Sequence, residues 1–408
     1  MKMSFKKIAV LLFITSMGFS CAKTPEPTIP EYVYPTIEKQ LQGLIDASKD
    51  SGRLPRCTNE DGSLRLVSPR DWTSGFFPGA LWLQYDLSKD EKWKQSAQEF
   101  TQILEKQQFN TRTHDVGFMM YCSYGTGYKL TKDEHYKEVL IQSAKSLITR
   151  YNPAVKCIRS WSHNTDKWDF PVIIDNMMNL ELLFWATDVT GDSTYYNVAF
   201  NHALTTLKNH FRSDNSCYHV VGYNPETGAV EKKNTHQGYA HESVWARGQA
   251  WALYGYTIAY RETGDIRFLD QAKKVADFLI NNDEIPADAI PYWDFDDPAI
   301  PNAPRDASAA AVISSALYEL ALYADHDQKA AYTSYATKIL VSLSSPEYMA
   351  EAGANNNFIL MHSVGNKPKN DEVDEPIIYA DYYYMEALLR KAKYEAGTLV
   401  NDINSSRH

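Results

Sequence analysis

A short polar turn recurs along the chain, and each copy stands directly before an apolar pattern of helical spacing. Each copy places a Ser or Thr two residues before an Asp, and an aromatic residue follows three positions after that Asp. The copies are Ser88–Asp90 with Trp93, Thr131–Asp133 with Tyr136, Thr190–Asp192 with Tyr195, Thr263–Asp265 with Phe268, and a weaker fifth near Asp325. Such turns are typical helix starts. Because each copy also follows another helical segment, the repeating unit is predicted to be a helical hairpin.

The helices that precede these turns form a second series with polar starts. They open at Asp71-Trp72, His114-Asp115, Asp175-Asn176, Ser243 to Trp251, Asp306 and Ala380-Asp381. About six hairpins, spaced by roughly 45 to 75 residues, are longer and less even than the repeats of standard solenoids. A closed ring of six hairpins would gather all the polar starts around one mouth. The sequence therefore predicts an all-α (α/α)6 barrel whose binding face lies at that end.

Asp175 lies within Phe170–Ala186, whose apolar positions recur at helical spacing and predict a helix. An Asp at a helix start commonly caps the helix by accepting a backbone hydrogen bond. The apolar surroundings also suit a catalytic acid, because desolvation raises the pKa of a carboxyl group. From this stretch alone, capping is the commoner role and both roles stay open.

The predicted barrel brings Asp175 into a larger constellation. Asp115 and Asp175 would begin neighbouring inner helices and face each other across a cavity. The same rim would carry Trp72, His114, Trp245, Arg247 and Trp251. Paired carboxylates among aromatic rings suit acid/base catalysis on sugars, because one acid is kept protonated and flat rings stack on pyranose faces. Asp71, Asp306 and Asp381 begin similar helices and are interpreted as structural caps.

The first twenty residues have the pattern of a secretory signal. A basic lead, Met1 to Lys7, precedes the apolar run Ile8–Ile14 and then Gly18-Phe19-Ser20-Cys21. The run is too short for a permanent membrane span. Cys21 after small and apolar residues resembles a bacterial lipoprotein signal, which would place the protein in the bacterial cell envelope on a lipid anchor. Ordinary cleavage nearby is the alternative.

The rest of the chain favours one large domain. Residues 21–35 contain four prolines and are predicted to be an extended tether. No Gly/Ser-rich or strongly charged linker follows, so residues 36–398 are expected to form one catalytic domain and 399–408 a tail. The net charge of −10 argues against nucleic acid or another extended polyanion as partner. An acidic ligand would need a local cluster of cations.

Neither the cysteines nor the histidines show the spacing of a metal site. Cys57, Cys122, Cys157 and Cys217 could pair in an oxidising compartment, but their scattered positions favour small buried residues. The sequence has no His-Glu-x-x-His pattern, phosphate-binding glycine loop or cofactor fingerprint, so no metal or cofactor is expected.

Five motifs stand out along the chain: Asp71–Phe76, His114–Phe118, Asp175–Leu180, Thr235–Tyr239 and Trp245–Trp251. Together they resemble the motifs of glycoside hydrolase family 88, the unsaturated glucuronyl hydrolases. The match extends from about Ile37 to Ala396 in the family's order and spacing. Any one of these motifs alone would be a weak signal, whereas several long ones together are specific.

The resemblance implies chemistry at the unsaturated uronic acid that a polysaccharide lyase leaves at the non-reducing end of an oligosaccharide. Such enzymes hydrate the double bond between carbons 4 and 5. Asp175 would be the general acid/base that protonates carbon 4 and helps water add at carbon 5, and the resulting hemiketal would rearrange and expel the next sugar. Asp115 would hold ring hydroxyls and keep Asp175 protonated through like-charge repulsion.

The resemblance also implies the substrate contacts. His114 matches a substrate-contacting His, although a capping or core role is open. The stacking walls would be Trp72, Trp161, Trp245 and Trp251, with the helical core as their alternative place. Arg247 suits carboxylate or sulfate recognition, with a surface salt bridge as its alternative.

Two loops complete the expected site. Gln237 and His219 match family positions by their spacing back from Trp245. Ser363 and Lys367 would touch a sulfated second sugar, although their loop departs from the Ser/Lys pattern of some relatives.

Two other functions stay open at this stage. Related unsaturated rhamnogalacturonyl hydrolases, or another (α/α)6 glycosidase, share the architecture, but the Trp245–Trp251 motif favours the glucuronyl branch. A lipid-anchored protein that binds glycans without cleaving them is the other alternative, and it would leave the carboxylate pair without a role.

Overall fold

The hairpins predicted from the repeated turns are present in the computed structural model, which describes residues 28–404. At four turns the inner helix ends in a residue with a left-handed φ, namely Lys89 (56°), Lys132 (56°), Gly191 (71°) and Gly264 (69°). The next residue is an Asp whose side chain accepts a hydrogen bond from the backbone N–H two positions on. One short turn therefore ends one helix and begins the next, and the hairpin prediction is confirmed.

The helices and their bounds are as follows. The α-helices are α1 (Val33–Ser48), α2 (Phe76–Ser88), α3 (Glu91–Gln102), α4 (Val116–Met120), α5 (Thr126–Thr131), α6 (Glu134–Ile148), α7 (Glu181–Thr190), α8 (Ser193–His210), α9 (Ala246–Thr263), α10 (Ile266–Ile280), α11 (Ala307–Leu320), α12 (His326–Leu343), α13 (Ile378–Glu395) and α14 (Leu399–Asn404). A π-helical turn, Tyr121–Gly125, joins α4 to α5. The 3-10 helices are Trp72–Gly75, Glu105–Phe109, Ile174–Asn179, Ala321–Tyr323, Asn355–Asn357 and Lys367–Lys369.

Six helical segments form the inner ring of the barrel: α2, α4–α5, α7 with the 3-10 helix before it, α9, α11 and α13. Each packs on the next, and α13 packs on α2, which closes the ring. All 14 residues of α11 are buried, as expected of a helix surrounded by others. The outer helices α1, α3, α6, α8, α10 and α12 bury one face; α3, for example, buries Trp93, Ala97, Phe100 and Thr101. The predicted (α/α)6 barrel is confirmed.

Small antiparallel sheets lie in the connections before the inner helices. The strands are β1 (Leu54–Thr58), β2 (Leu64–Val67), β3 (Tyr151–Asn152), β4 (Cys157–Ile158), β5 (Phe170–Ile173), β6 (Val220–Tyr223), β7 (Val230–Asn234), β8 (Ser363–Asn366) and β9 (Asp371–Glu375). They pair as β1-β2, β3-β4, β5-β6-β7 and β8-β9.

The predicted helix from Phe170 to Ala186 is wrong over its first four residues. Phe170–Ile173 is the strand β5, paired with β6 and buried along its length. Pro171 lacks the N–H that a helix interior uses, and Val172 and Ile173 are β-branched, so the segment favours a strand. A short buried strand and a buried helix give the same continuous apolar run, which is why the pattern misled.

The folded domain is longer than residues 36–398. Helix α1 begins at Val33, within the expected tether, and α14 follows the expected end of the domain. Leu399 (1% exposed) and Ile403 (5% exposed) of α14 join the apolar core. The proposed signal and residues 21–27 of the tether, which include Cys21, lie outside the described residues. Within residues 28–404 no helix is long and apolar enough to cross a membrane.

The four cysteines that follow Cys21 are all free thiols. Cys57, Cys157 and Cys217 are buried and Cys122 is half-buried. They pack as small side chains, as their scattered positions favoured.

Candidate active site

Asp115 and Asp175 begin adjacent inner segments of the barrel, and their side chains are 14% and 13% exposed. Neither makes a capping hydrogen bond to its own helix, so the capping interpretation of Asp175 is wrong. Asp115 accepts a hydrogen bond from the Thr113 hydroxyl at 2.7 Å. The two segments are joined by a hydrogen bond of 2.8 Å from the Phe118 N–H to Asn179 Oδ1. The carboxyl groups are therefore held on one pair of packed helices.

Burial raises the pKa of Asp175 to about 7, with the Arg247 cation opposing this shift and the Asp115 carboxylate adding to it. Burial is the largest of these causes, so the apolar wall contributes more than the like-charge repulsion that was expected to protonate Asp175. Asp175 Oδ2 is buried and has no hydrogen-bond partner among the described residues. A carboxyl group that is half protonated near neutral pH is suited to donate a proton.

His219 immediately precedes β6, and its Nε2 lies 3.8 Å from Asp175 Oδ2. Its Nδ1 accepts hydrogen bonds from the backbone N–H groups of His236 and Gln237, both at 3.2 Å. Because Nδ1 is an acceptor, the proton of the neutral ring sits on Nε2, which faces Asp175. Burial holds the pKa of His219 well below its ordinary value, so the ring is neutral. His219 therefore lies next to Asp175, the predicted catalytic acid.

His114 is buried beside the second carboxylate. Its Nε2 lies 3.3 Å from Asp115 Oδ1 without the alignment of a hydrogen bond. Burial lowers its pKa, although the Asp115 carboxylate acts in the opposite direction. The neutral ring is completely buried, as its core role requires, and it does not cap a helix. Its contact with a substrate stays a prediction.

The four tryptophans fall into two walls. Trp72 contacts Phe118 with ring centroids 5.8 Å apart, and Phe118 contacts Trp251 at 5.3 Å. On the other side, the His219 ring lies 6.0 Å from Trp161 and 4.4 Å from Trp245. Trp245 and Trp251 are buried, whereas Trp72 and Trp161 are half-buried. The half-buried pair offers open ring surface, and Trp251 adds a buried Nε1–H without a partner among the described residues.

Arg247 is buried (1% exposed), so a surface salt bridge is the wrong description of it. Its Nη1 lies 2.9 Å from Asp306 Oδ2, and its guanidinium also donates to the carbonyl oxygens of Val364 and Gly365. The guanidinium carbon lies 4.6 Å from the centre of the Trp245 ring. Arg247 thus joins α9, α11 and the β8 segment at the mouth of the barrel.

The three carboxylates interpreted as caps differ from one another. Asp71 caps the 3-10 helix Trp72–Gly75, and Asp306 caps α11. Asp381 does not cap α13, whose N-cap residue is Ile377. Its two carboxylate oxygens accept hydrogen bonds from the backbone N–H groups of Ile359 and Leu360, both at 2.9 Å. The interpretation of Asp381 as a cap is therefore wrong: it anchors the loop that leads to β8.

Two further buried hydroxyl groups belong to β8 and α13, both of which contact Arg247. Ser363 Oγ and the Tyr379 hydroxyl are buried without a hydrogen-bond partner among the described residues. Tyr379 lies with its ring 5.1 Å from Trp72 and within 5.4 Å of the Arg247 guanidinium. Gln237 Nε2 donates to Gly365 O at 3.1 Å. Unpaired buried polar groups call for a functional explanation, and Tyr379 was missed in the sequence although it begins the sixth inner helix.

Two lysines and two neutral histidines, together here called the cationic rim, lie around Trp161; they are His163, Lys167, His236 and Lys369. Trp161 stacks on His163 at 5.7 Å and contacts His236 at 5.0 Å. Burial, Lys369 and Lys167 lower the pKa of His236 to about 4. No described carboxylate lies within 4 Å of the Lys167 or Lys369 ammonium.

The remaining expected contact, Lys367, lies over the Trp293 ring at 5.3 Å and begins the 3-10 helix that ends at Lys369. No group of three or more His, Cys, Asp or Glu side chains within residues 28–404 is arranged to hold a metal ion.

A carboxyl group of raised pKa near a second carboxylate, among aromatic rings at one end of an (α/α)6 barrel, defines a glycosidase of the acid/base type. The family model for Glycosyl Hydrolase Family 88 matches residues 35–401, and the chain belongs to this family. The resemblance found in the motifs is therefore confirmed.

Individual relatives agree with this assignment. The chain is 51% identical over 360 residues to an unsaturated glucuronyl hydrolase of Formosa agariphila, covering 88% of this chain and 89% of that protein. The crystal structure of an unsaturated glucuronyl hydrolase specific for heparin is 47% identical, with a TM-score of 0.86 over 90% of this chain and 99% of the other. A mutant of the Streptococcus agalactiae enzyme complexed with dGlcA-GalNAc6S is 30% identical, with a TM-score of 0.77 over 90% and 93% of the two chains.

Proposed function

We propose that this glycosidase is an unsaturated glucuronyl hydrolase that releases a 4,5-unsaturated uronic acid from the non-reducing end of lyase-generated, glycosaminoglycan-type oligosaccharides. The observation that carries the proposal is the carboxyl group of Asp175, with a pKa of about 7 and an unpaired Oδ2, at the predicted position. The names of the relatives point to the same reaction.

In the first step Asp175 donates its proton to carbon 4 of the unsaturated sugar. The electrons of the double bond form the new C–H bond, and positive charge develops at carbon 5 and the ring oxygen. The ionised Asp175, with Asp115 beside it, stabilises that charge. The neutral His219, whose Nε2–H faces Asp175 Oδ2, then donates toward the carboxylate that forms.

In the second step a water molecule adds to carbon 5 while the Asp175 carboxylate accepts its proton. Asp175 is thereby returned to its protonated state, and the product is a hemiketal at carbon 5. The hemiketal opens and the next sugar leaves from carbon 1. One carboxyl group can serve as both acid and base because its pKa lies near the working pH.

A panel of lyase-generated disaccharides tests the reaction, because hydration removes the ultraviolet absorbance of the conjugated double bond. We expect the wild-type protein to abolish the absorbance and Asp175→Asn to leave it. Asp192→Asn, which makes the same exchange at the cap of the outer helix α8, is the matched control and is expected to retain the activity. Steady absorbance with every glycosaminoglycan-derived disaccharide would refute the proposal.

The cationic rim supports an anionic second sugar, such as a sulfated one. The protein carries a net charge of −10, yet Lys167 and Lys369 stand at the site without a carboxylate partner within 4 Å among the described residues. Unpaired ammonium groups beside an aromatic platform suit a sulfate group on a ring stacked at Trp161.

Lys167→Gln and Lys369→Gln are expected to raise KM about 3- to 10-fold for a sulfated disaccharide and to leave KM for its unsulfated counterpart unchanged. Lys338→Gln on the outer helix α12 is the control. An equal rise in KM for both disaccharides would show that the cationic rim does not bind the sulfate group.

We further propose that Cys21 is lipidated and that the protein is anchored in the bacterial cell envelope. The basic lead, the short apolar run and the small residues before Cys21 support this. Cys21→Ser is expected to move the protein from the membrane fraction to the soluble fraction. Unchanged membrane association would contradict the anchor.

A further inference from the structure

Asp306 makes more contacts than the capping of α11 requires. Its Oδ1 accepts hydrogen bonds from the backbone N–H groups of Ser308 at 3.0 Å and Ala309 at 3.3 Å, and these two bonds cap the helix. Its Oδ2 instead accepts from Nη1 of Arg247 at 2.9 Å, and the side chain is completely buried. By contrast, the cap Asp192 accepts hydrogen bonds from Thr194 and is exposed. The second oxygen of Asp306 thus serves Arg247.

Arg247 interacts with two acidic groups. Asp306 is in contact with the guanidinium, whereas Asp175 is coupled to it electrostatically and no nitrogen of Arg247 lies within 4 Å of an Asp175 carboxylate oxygen. An arginine in direct contact with a carboxyl group keeps it ionised. Contact between Arg247 and Asp175 would therefore remove the proton that carbon 4 must receive.

The titratable and charged groups that face Asp175 come from several elements. They are Asp115 at the start of α4, Cys217 and His219 ahead of β6, and Arg247 on α9. Burial keeps the thiol and the imidazole in their neutral forms. Arg247 is the cation of this group. Its distance from Asp175 therefore determines how strongly its charge opposes the rise in the Asp175 pKa that burial causes.

We propose that Asp306 is a positioning residue of the hydration reaction: it holds the Arg247 guanidinium on the Val364–Gly365 backbone and away from Asp175, which remains a proton donor. The inference rests on the proposed function, since it assigns Asp175 the proton that is transferred. It adds a residue that touches neither the substrate nor the reacting atoms and that acts through Arg247.

The test is Asp306→Asn. The amide oxygen can replace Oδ1 in the cap, but the amide nitrogen then faces Nη1 of Arg247, and two donors repel each other. The guanidinium is expected to turn toward Asp175. The decline of kcat at high pH, which follows the deprotonation of Asp175, then moves to lower pH by about one unit. Asp192→Asn makes the same exchange in a cap that does not contact Arg247, and it is expected to leave the profile in place.

A double variant shows whether Asp306 acts through Arg247. Arg247→Gln alone removes the cation and should move the decline of kcat to higher pH, and adding Asp306→Asn should cause no further change. A profile of Asp306→Asn that coincides with the wild type, or a further shift in the double variant, would overturn the proposal. Asp306→Ser, which keeps a good cap without the anion, replaces Asp306→Asn if that variant does not fold.

A substrate-free measurement separates this inference from the proposed function. The infrared difference between each protein and its Asp175→Asn counterpart reports the titration of the Asp175 carboxyl group directly. If the wild type turns over no unsaturated disaccharide, the proposed function fails. A titration midpoint that is lower in Asp306→Asn than in the wild type still supports the role of Asp306, and an unchanged midpoint overturns it.

Discussion

A methyl group added at Gly117 should push apart the two segments that carry Asp115 and Asp175. A Cβ atom at this position would lie 2.5 Å from Asn179 Cα and 2.6 Å from Asn179 Oδ1. Relief of these contacts requires a displacement of about 1 Å, because apolar contacts are comfortable near about 3.5 Å. The displacement also weakens the 2.8 Å hydrogen bond from the Phe118 N–H to Asn179.

Overpacking of this kind costs about 1–3 kcal/mol. The weakened hydrogen bond adds about 1 kcal/mol, and the better helix propensity of Ala returns up to about 1 kcal/mol. We therefore expect Gly117→Ala to lower the free energy of unfolding by about 1–3 kcal/mol. A shift of about 1 Å between catalytic groups can cost about 100-fold in rate, so kcat should fall by about 10- to 100-fold.

Gly127→Ala on α5 is the matched control, since its Cβ would lie 2.6 Å from the Tyr136 ring and 2.9 Å from Trp82. Both variants should lower Tm by a few degrees, roughly in proportion to the lost free energy. Only Gly117→Ala should lose kcat, measured from the absorbance decay well below the pKa of Asp175. A Gly117→Ala enzyme with wild-type kcat and a reduced Tm would refute the reasoning that this contact sets the spacing of the carboxyl groups.

Three further predictions follow from named contacts. First, kcat should fall about tenfold per pH unit above about pH 7, because Asp175 must be protonated and its pKa is about 7; a flat profile to pH 9 would exclude Asp175 as the acid. Second, because the pKa of Asp175 is raised, its contribution to the free energy of unfolding is fully present below about pH 4. That contribution falls by up to about 4 kcal/mol as the pH rises through about 7. Asp175→Asn should therefore have a higher Tm than the wild type at pH 8 and an equal Tm near pH 4, and the same difference at both pH values would contradict this. Third, Arg261→Met should destabilise the protein by about 3–5 kcal/mol, because Arg261 is 3% exposed at its side chain and bonds Glu319 at 2.9 Å and Glu181 at 2.5 Å. Arg267→Met, which breaks an exposed pair with Asp265, should cost less than about 1 kcal/mol in urea unfolding, and similar losses in the two variants would refute the distinction.

The hairpins were predictable because their signals are local. A left-handed residue followed by an Asp ends one helix and caps the next, and both features are written in three consecutive residues such as Thr190–Asp192. Even the gathering of Asp115 and Asp175 followed from the repeat, since parallel inner helices place their starts at one end of the ring.

The features that sequence reasoning missed depend on contacts between distant segments. The strand at Phe170–Ile173 exists because β6, about fifty residues later, pairs with it, and a short apolar run does not reveal its partner. Asp381 was taken for a cap because it opens a helix, but its partners are the backbone N–H groups of Ile359 and Leu360.

Asp306 shows the same limit within the active site. Its capping role was evident from the Asp before a run of Ala and Ser. Its contact with Arg247, 59 residues away along the chain, was not. Burial, rather than the neighbouring charge, also proved the main cause of the raised pKa of Asp175, and burial depends on the whole surrounding packing.

The most direct test of the account is the fate of the hydrogen at carbon 4 when the reaction runs in heavy water. If Asp175 protonates carbon 4, nuclear magnetic resonance of the freshly released uronic acid will show one deuterium at carbon 4 in a single configuration, and the double bond will be lost at the same rate as the second sugar appears. If the second sugar is released while the double bond persists and carbon 4 gains no deuterium, bond cleavage occurs at carbon 1 without hydration, and the central claim is wrong.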